Sequence, residues 1–296
     1  MKWMVFGAGG QLGLALSQRL REKSNDHQVL AFSHRQAEIT NLEEIVALVS
    51  QHHPDQIVNT AAWTDVAGAE HQMDLANKVN IEGALNIAKA ASHVGASVIQ
   101  LSTDYVFDGG FSKPIDEDEK QCPINNYGRS KAGAEILLEE HFQNSVVILR
   151  TAWLYGPGGK NFARSIMTKA IKRPTAIISV VDDQWGQPTS TLDLAEKIIE
   201  IGENRISSGI LHGTNSGLTN WFEFAQLLLS SAGLEPSLIK PIKTSEFATT
   251  VRRPVYSVLS HGGWIGTGIE PLRDWRLPVH ELATIIRREV EIDNGI

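Results

Sequence analysis

The sequence predicts an α/β fold in which helices cover both faces of a doubly wound parallel sheet. Short apolar segments alternate with amphipathic segments through the first half of the chain, and a glycine-rich turn follows the first apolar segment. Strand and helix in alternation are typical of βαβ units with right-handed crossovers. Because the apolar segments are almost continuously hydrophobic, they predict strands that are buried on both faces of the sheet.

Strands and helices are predicted in order from the hydrophobic pattern. The strands cover residues 3–6, 29–32, 56–60, 97–101, 146–150 and 209–214. The helices cover residues 11–22, 42–52, 73–94, 130–141, 192–202, 220–232 and 278–291. Since the alternation becomes irregular after the fifth strand, we predict two interleaved units. The main domain comprises residues 1–152 and 189–216, and a smaller substrate lobe comprises residues 153–188 and 217–296.

The composition excludes several classes of protein. The chain has 296 residues, of which 42% are hydrophobic and 21% are charged, and its net charge is -7. We therefore expect no nucleic-acid partner, and since no apolar run is long enough for a membrane span, we expect no membrane contact. The single cysteine, Cys122, cannot form an internal disulfide. Together with the lack of a signal-peptide pattern, this predicts a cytoplasmic protein.

A glycine-rich turn lies between the first predicted strand and the first predicted helix. Its glycines at 7, 10 and 13 have the G-x-x-G-x-x-G spacing. Such a turn lets the backbone approach a pyrophosphate, which the helix N-terminus attracts. An ordinary strand–helix turn is the alternative, but the position after the first strand favours a dinucleotide site in a Rossmann-type domain. The predicted cofactor contacts from this turn are Gly7, Gly9, Gly10, Gln11 and Leu12.

The residues that follow the second predicted strand bear on the choice of cofactor: Ser33, His34 and Arg35. A site that selects NAD usually has an acidic residue there, whereas the basic Arg35 suits a 2′-phosphate. We therefore predict NADPH, with NADH as the alternative, and a solvated loop charge is the alternative role of Arg35. Small residues after the third strand are expected to lie against the cofactor, although helix–strand packing explains them nearly as well: Ala61, Ala62 and Thr64.

A tyrosine and a lysine stand four residues apart at the start of a predicted helix. Tyr127 and Lys131 therefore share one helical face. A free tyrosine has a pKa near ~10, and an adjacent ammonium with an oxidised nicotinamide is expected to lower it, as general acid catalysis requires. Thr103, at the end of the fourth strand, is predicted to hydrogen-bond the same substrate oxygen. A surface helix pair is the alternative, but the Ser-Thr-Asp-Tyr-Val-Phe-Asp-Gly segment at 102–109 favours a reductase site.

These motifs together resemble the dTDP-4-dehydrorhamnose reductase family within the extended short-chain dehydrogenases. Further segments carry the resemblance, and their D-D-Q-x-G-x-P-T and R-R-P patterns are more specific than the glycine turn: 59–64, 150–156, 159–162, 181–189 and 252–257. The resemblance implies an NAD(P)H-dependent enzyme that reduces the C4 ketone of dTDP-4-dehydro-L-rhamnose, a dTDP-linked 4-keto-6-deoxysugar, to dTDP-L-rhamnose. It implies a catalytic triad of Thr103, Tyr127 and Lys131, in which Tyr127 is the general acid and Lys131 also holds the nicotinamide ribose.

The resemblance also implies contacts with the ligands. The sugar would meet Asp104, Tyr105 and the indole of Trp153, for which a core position is the alternative. The remaining implied substrate contacts are Asn161, Gln184 and Arg253. Glu38 and Ile39 stand where the family has an acid–hydrophobe pair near the adenine, with glutamate for aspartate. Ala15 stands where some members are described with a magnesium-binding acid, so no metal is predicted.

Two alternatives to this function stay open. A reductase for another dTDP-4-keto-6-deoxyhexose, giving a talose or fucose epimer, would differ only in how the sugar sits over the nicotinamide. A non-catalytic NADP-binding subunit, like the regulatory subunit of methionine adenosyltransferase, would share the architecture. The intact Thr103, Tyr127 and Lys131 favour catalysis. The oligomeric state is also open, with a homodimer as one expectation.

Overall fold

A six-stranded parallel sheet lies at the centre of the main domain in the computed structural model, which describes residues 1–23, 26–246 and 251–295. The strands of the chain are, in order, β1 Lys2–Phe6, β2 Gln28–Phe32, β3 Gln56–Asn59, β4 Ser97–Thr103, β5 Val146–Thr151, β6 Leu154–Tyr155, β7 Ile178–Val181, β8 Trp185–Gly186, β9 Thr189–Ser190, β10 Gly209–His212, β11 Thr219–Asn220 and β12 Ile239–Ile242. The main sheet has the order β10-β5-β4-β3-β1-β2, and all its neighbouring strands are parallel. The order reverses between β1 and β3, and open α/β sheets bind ligands outside the carboxyl ends of the strands at such a point.

Helices connect these strands. They are α1 Gln11–Glu22, α2 Leu42–His52, α3 Val66–His71, α4 Met73–Asn77, α5 Gly83–Val94, α6 Asn126–Phe142, α7 Phe162–Lys172, α8 Thr191–Glu203, α9 Trp221–Ser231 and α10 Arg276–Asp293. Several begin at a side chain that accepts a hydrogen bond from the first turn, as N-cap residues do: Asn41, Asn125, Asn161, Ser190 and Asn220. In the part of the chain that the structure describes, no helix has the length and apolar character that crossing a bilayer requires.

The single helix predicted at residues 73–94 is wrong in its middle. A π-helical turn, Lys78–Glu82, separates α4 from α5. Within this turn the buried Asn80 accepts a hydrogen bond from the Trp63 N–H at 2.8 Å and donates one to Ser130 Oγ at 2.8 Å. The apolar pattern continues through the turn, so periodicity could not reveal it. π-Helical turns inside helices are frequent near functional sites. The hydrogen bond from Asn80 connects this turn to α6, the helix that carries Tyr127.

Side chains that alternate along β1 enter two separate hydrophobic cores. Trp3 and Val5 pack in the core beneath α1 and α8. Met4 and Phe6 pack in the core beneath α2, α5 and α6. Helices therefore cover both faces of the sheet, and the predicted doubly wound α/β fold is confirmed.

A third core lies outside the main sheet. It is formed by α7, α9 and α10 together with the parallel pair β7–β12, and its fully buried side chains include Met167, Phe224 and Ile286. The sequence analysis did not predict α7, although its buried residues Ala163, Ile166, Met167 and Ala170 follow a helical spacing. The strands β7 and β12 are too short to give a periodic signal. The exact boundaries between the two units stay a prediction.

Candidate active site

The glycine turn after β1 brings two strand ends into close contact. Gly7 has a φ of +81°, and a Cβ built there would lie 2.4 Å from the Ala61 nitrogen, which follows β3. A Cβ at Gly13 would lie 2.3 Å from the Gly7 oxygen. Gly10 is the N-cap of α1 and has no side chain to accept from it, so no side-chain cap occupies the N–H groups of the first helical turn. These are the features that a pyrophosphate needs at a helix N-terminus, and the residues present therefore fit a dinucleotide.

Gln11, in the first turn of α1, connects the glycine turn to the segment before α7. Its Nε2 donates to the Lys160 carbonyl at 3.0 Å, and its Oε1 accepts from Asn161 Nδ2 at 2.8 Å. Asn161 also donates to the Gly156 carbonyl at 3.1 Å and accepts from the Arg164 N–H at 2.9 Å as the N-cap of α7. The Asn161 amide is thus used within the protein, beside the glycine turn, and its contact with the substrate stays a prediction.

The residues predicted to bind the adenosine half lie together after β2: Ser33, His34, Arg35, Glu38 and Ile39. Ser33 lies against the glycine turn, since a Cβ at Gly9 would be 3.5 Å from the Ser33 Cβ. The side chains of His34 and Arg35 are exposed, and Arg35 forms no ion pair with any residue that the structure describes. Ile39 is buried. Arg35 is therefore free to meet an anion beside the turn.

Thr103, Tyr127 and Lys131 come together at the carboxyl end of β4. Thr103 is the last residue of β4 and interacts through its hydroxyl with the Tyr127 phenol. A Cβ at Gly128 would lie 2.2 Å from the Tyr105 carbonyl oxygen, so this glycine allows α6 to approach the turn after β4. One helical turn later, the buried Lys131 donates from Nζ to the Leu101 carbonyl at 2.6 Å. The three groups of the predicted triad are thus neighbours.

The protein groups around Tyr127 shift its pKa upward, and the lowering expected from an oxidised nicotinamide stays a prediction. Burial raises it above its ordinary value, and the nearby Asp104 and Tyr105 raise it further against the hydrogen bond with Thr103. Lys131 does not reverse this, because its ammonium is bonded to a β4 carbonyl and burial lowers its own pKa to about 8. Tyr127 consequently keeps its proton at neutral pH.

Asp104 and Arg253 place further polar groups near Tyr105. Burial raises the pKa of Asp104 to about 6, against hydrogen bonds from Ser257 and from Thr103, whose Oγ1 donates to Asp104 Oδ1 at 3.0 Å. Burial raises the pKa of Tyr105 to about 12, and the charge of Arg253 opposes that shift. The Nε of Arg253 is buried without a hydrogen-bond partner among the described residues. A buried unpaired donor of this kind suits an anionic ligand.

Trp153 stacks on a second tryptophan. Its ring centroid lies 3.6 Å from that of Trp221, with an interplanar angle of 10°. A Cβ at Gly186 would approach the Trp153 ring to 2.6 Å, so only glycine fits there. Trp153 is half-buried and covered by Trp221 on one face. The sequence analysis did not predict a role for Trp221. Its position directly after Asn220, the N-cap of α9, is the signal that could have indicated one.

The two most specific sequence segments lie side by side. The Trp185 N–H donates to the Val255 carbonyl at 2.8 Å, and the Ser257 N–H donates to the Trp185 carbonyl at 2.8 Å. Gln184 is buried and donates to Thr244 Oγ1 at 3.0 Å, so its amide serves the protein. Arg253 and the segment around Gln184 therefore belong to one wall of the site. Within residues 1–23, 26–246 and 251–295, no group of three His, Cys, Asp or Glu side chains is arranged to hold a metal ion.

A dinucleotide turn at the reversal of strand order, with a threonine, a tyrosine and a lysine at the carboxyl end of β4, defines an extended short-chain dehydrogenase/reductase. Residues 1–288 match a family model described as the RmlD substrate binding domain. The chain belongs to the dTDP-4-dehydrorhamnose reductase family, which is a family of oxidoreductases.

Known relatives resemble the chain over nearly its whole length. It is 38% identical over 274 residues to a dTDP-4-keto-6-deoxy-D-glucose reductase from Streptomyces niveus, covering 93% of each chain. It is 38% identical to a dTDP-4-dehydrorhamnose reductase from Streptomyces griseus, covering 95% of this chain and 92% of the relative. The crystal structure of a dTDP-4-dehydrorhamnose reductase from Bacillus anthracis in complex with NADP has a TM-score of 0.89, with 35% identity, over 95% of this chain and 98% of that one.

Proposed function

We propose that this chain uses NADPH to reduce the C4 ketone of dTDP-4-dehydro-L-rhamnose and so forms dTDP-L-rhamnose. The observation that carries the proposal is the meeting of Thr103, Tyr127 and Lys131 at the carboxyl end of β4, two strands from the glycine turn in the main sheet. The name of the Streptomyces griseus relative supports the substrate, and the NADP in the Bacillus anthracis structure supports the cofactor.

The glycine turn and the residues after β2 would hold the cofactor. The N–H groups at the start of α1 would bind its pyrophosphate, and Arg35 would bind the 2′-phosphate. Ala61, Ala62 and Thr64, after β3, would lie against the nicotinamide half. When bound, NADPH supplies the hydride for the ketone carbon. Lys131 would hold the nicotinamide ribose from the opposite side of the site.

Tyr127 would act as the general acid. As the ketone gains a hydride, negative charge develops on its oxygen, and the Tyr127 phenol donates its proton there. A raised pKa suits this direction of reaction, because it keeps the phenol protonated until the more basic alkoxide oxygen forms. Lys131, whose pKa of about 8 leaves it mostly charged at neutral pH, would stabilise the resulting phenolate. Thr103 would orient the ketone oxygen.

Arg253 is the strongest candidate for binding the diphosphate of the substrate. Its buried Nε has no partner in the described part of the chain, and a guanidinium binds phosphate oxygens in a bidentate manner. Asp104, Tyr105 and Trp153 would line the sugar. Asn161 and Gln184 would act on the substrate through the loops that they fix, since their amides are bonded within the protein.

A reductase that acts on a different dTDP-4-keto-6-deoxyhexose is the second candidate. The specific observation is the Streptomyces niveus relative, which has the same 38% identity and is named for 4-keto-6-deoxy-D-glucose. The stereochemical course depends on how the sugar faces the nicotinamide. A non-catalytic NADP-binding subunit is less well supported, because all three groups of the triad lie together.

Turnover with defined sugars tests the proposal. The purified chain is mixed with NADPH or NADH and with dTDP-4-dehydro-L-rhamnose or dTDP-4-keto-6-deoxy-D-glucose, and loss of nicotinamide absorbance is followed. The expected result is rapid oxidation of NADPH with the first sugar and formation of dTDP-L-rhamnose. Faster turnover of the second sugar would support the second candidate. Tight NADPH binding without oxidation by either sugar would support the non-catalytic subunit.

A further inference from the structure

A buried carboxylate lies one helical turn beyond Lys131. Lys131 and Glu135 are four residues apart on α6 and share one face, and their exposed fractions are 3% and 0%. Both oxygens of the Glu135 carboxylate accept a hydrogen bond from Arg150 Nε at 3.1 Å. One of them also accepts from Arg150 Nη2 at 2.8 Å. Gln121 Nε2 donates to the same carboxylate at 2.5 Å. Glu135 is therefore held in one position by donors from outside α6.

Arg150, on β5, is itself fixed from several directions. Its guanidinium lies 5.1 Å from the centroid of the Phe107 ring, and its Nη1 donates to the Glu117 carbonyl at 3.0 Å. His212 Nε2 lies 3.3 Å from Nη1, while His212 Nδ1 faces the Ser260 carbonyl at 2.9 Å. Burial and the charge of Arg150 lower the pKa of His212 to about 3. His212 is thus neutral and accepts from Arg150, so it adds no charge to this group.

Two carboxylates lie near these buried groups: Glu135 pairs with Arg150, and a Glu117 oxygen lies 3.7 Å from His212 Nδ1. Lys131 and Arg150 are two buried cations, and an uncompensated buried charge costs several kcal/mol. Other titratable groups also face the region: Tyr127 and Glu139 on α6, and Asp104 and Tyr105 after β4. Asp104 accepts a hydrogen bond from Thr103 and none from Lys131. Glu139 is exposed, one helical turn after Glu135 on α6. Glu135 is therefore the carboxylate whose charge acts on the Lys131 ammonium.

We propose that Glu135 is a positioning residue for the reductase site, whose carboxylate keeps the Lys131 ammonium charged where it donates to the Leu101 carbonyl. Arg150 and Gln121 hold the carboxylate still, and its negative charge offsets the cost of burying the ammonium. Burial lowers the pKa of Lys131 while Glu135 raises it, in agreement with the geometry. The proposal depends on the proposed function only for its link to turnover, since the charge of Lys131 can be measured without any substrate.

The test is a lysine titration by NMR on the full chain labelled with ¹³C at lysine Cε. The Lys131 signal is assigned by its loss in Lys131→Met. In Glu135→Gln, which keeps the shape of the side chain but removes its charge, we expect the Lys131 midpoint to fall by about one pH unit or more. Glu139→Gln is the matched control, because it removes a carboxylate from the same helix one turn further on, and its midpoint should stay at the wild-type value. An unchanged midpoint in Glu135→Gln would overturn the proposal.

Two more variants test the proposal in case Glu135→Gln does not fold. Glu135→Gln combined with Arg150→Met removes both members of the buried pair and leaves no unpaired guanidinium, an exchange that folds tolerate. The Lys131 midpoint should fall in this variant too, but by less than in Glu135→Gln, because the Arg150 cation is removed together with the carboxylate. A midpoint that falls in neither variant would overturn the proposal. Glu135→Asp keeps the charge and should hold the midpoint nearer to the wild-type value than Glu135→Gln does. Equal Lys131 midpoints in Glu135→Asp and Glu135→Gln would overturn the proposal, because the charge of residue 135 would then not set the Lys131 pKa.

Turnover provides the link to catalysis. The alkaline limb of the pH profile of kcat should move to lower pH in Glu135→Gln and stay in place in Glu139→Gln, whereas a purely structural role would lower kcat evenly at every pH. If the wild-type chain reduced no keto-sugar, the proposed function would fail, but the NMR titration would still decide the role of Glu135.

Discussion

The side-chain amides of Gln11 and Asn161 join the first turn of α1 to the first turn of α7 across a 2.8 Å hydrogen bond. One residue lies in the glycine turn of the main domain and the other caps a helix of the third core. The bond makes the geometry of the pyrophosphate site depend on the position of the lobe. Cofactor affinity should therefore respond to a change in the lobe that leaves the sheet untouched.

Asn161→Ala should lower both stability and cofactor affinity. Loss of the N-cap costs about 1 kcal/mol in the free energy of unfolding, and release of Gln11 should weaken NADPH binding severalfold. Urea unfolding and NADPH titration by fluorescence measure the two effects. Asn220→Ala is the matched control, because Asn220 caps α9 in the same lobe by accepting from the Glu223 N–H at 2.9 Å and does not bond Gln11. Equal NADPH affinity in the two variants would contradict the proposed coupling.

Tyr127→Phe should abolish most of the turnover and spare cofactor binding. Removing the proton donor is expected to lower kcat by about 10²–10⁴, while the ring remains to fill its place. Steady-state kinetics and NADPH titration check this. Tyr155→Phe serves as the control, because its hydroxyl is buried without a partner among the described residues and its ring packs on Phe224 in the third core. Turnover should persist in this variant. Full activity of Tyr127→Phe would rule out Tyr127 as the acid.

Arg35→Ala should change the choice of cofactor. A charge-assisted hydrogen bond is worth about 1.5–3 kcal/mol, so NADPH affinity should fall by roughly tenfold or more while NADH affinity changes little. The ratio of the two dissociation constants is the quantity to measure. Arg21→Ala removes another exposed arginine, from the last turn of α1, and should leave this ratio at its wild-type value. Equal losses for both cofactors in Arg35→Ala would disprove contact with a 2′-phosphate.

Asp104→Asn should stabilise the fold at neutral and alkaline pH. The pKa of Asp104 rises from 3.8 to about 6 in the folded chain because burial penalises its charged form. The folded state therefore binds more protons than the unfolded state between these values, and the Asp104 contribution to stability falls as pH rises through about 4 to 6. Above pH 6 the variant avoids that loss, which amounts to at most about 3 kcal/mol.

Unfolding by urea at a series of pH values tests this prediction. The difference between Asp104→Asn and the wild type should be small near pH 4 and should grow in favour of the variant up to about pH 6. A difference that is independent of pH would show that Asp104 titrates normally. Turnover of the same variant is a separate measurement, because Asp104 is also proposed to line the sugar.

The main sheet and the triad could be predicted from the sequence because their signals are local. Buried strands such as β3 and β5 consist of consecutive apolar residues, and Tyr127 and Lys131 are linked by helical spacing. The direction of the Tyr127 pKa could not be predicted, since it depends on burial by a turn that lies more than twenty residues away in the chain. The Glu135–Arg150 pair was equally hidden, because a helix and the following strand bring these charges together.

The parallel pair β7–β12 has a consequence for how the chain acquires its structure. Between these strands the chain returns to the main sheet through α8 and β10, so neither hydrophobic assembly is continuous in sequence. During synthesis the first five sheet strands emerge early and can associate, but α7 and β7 must wait for α9, β12 and finally α10, which packs on both α7 and α9. A ribosome-bound intermediate would therefore expose the apolar sides of α7 and β7 until almost the last helix has left the exit tunnel, and chaperone binding should concentrate there.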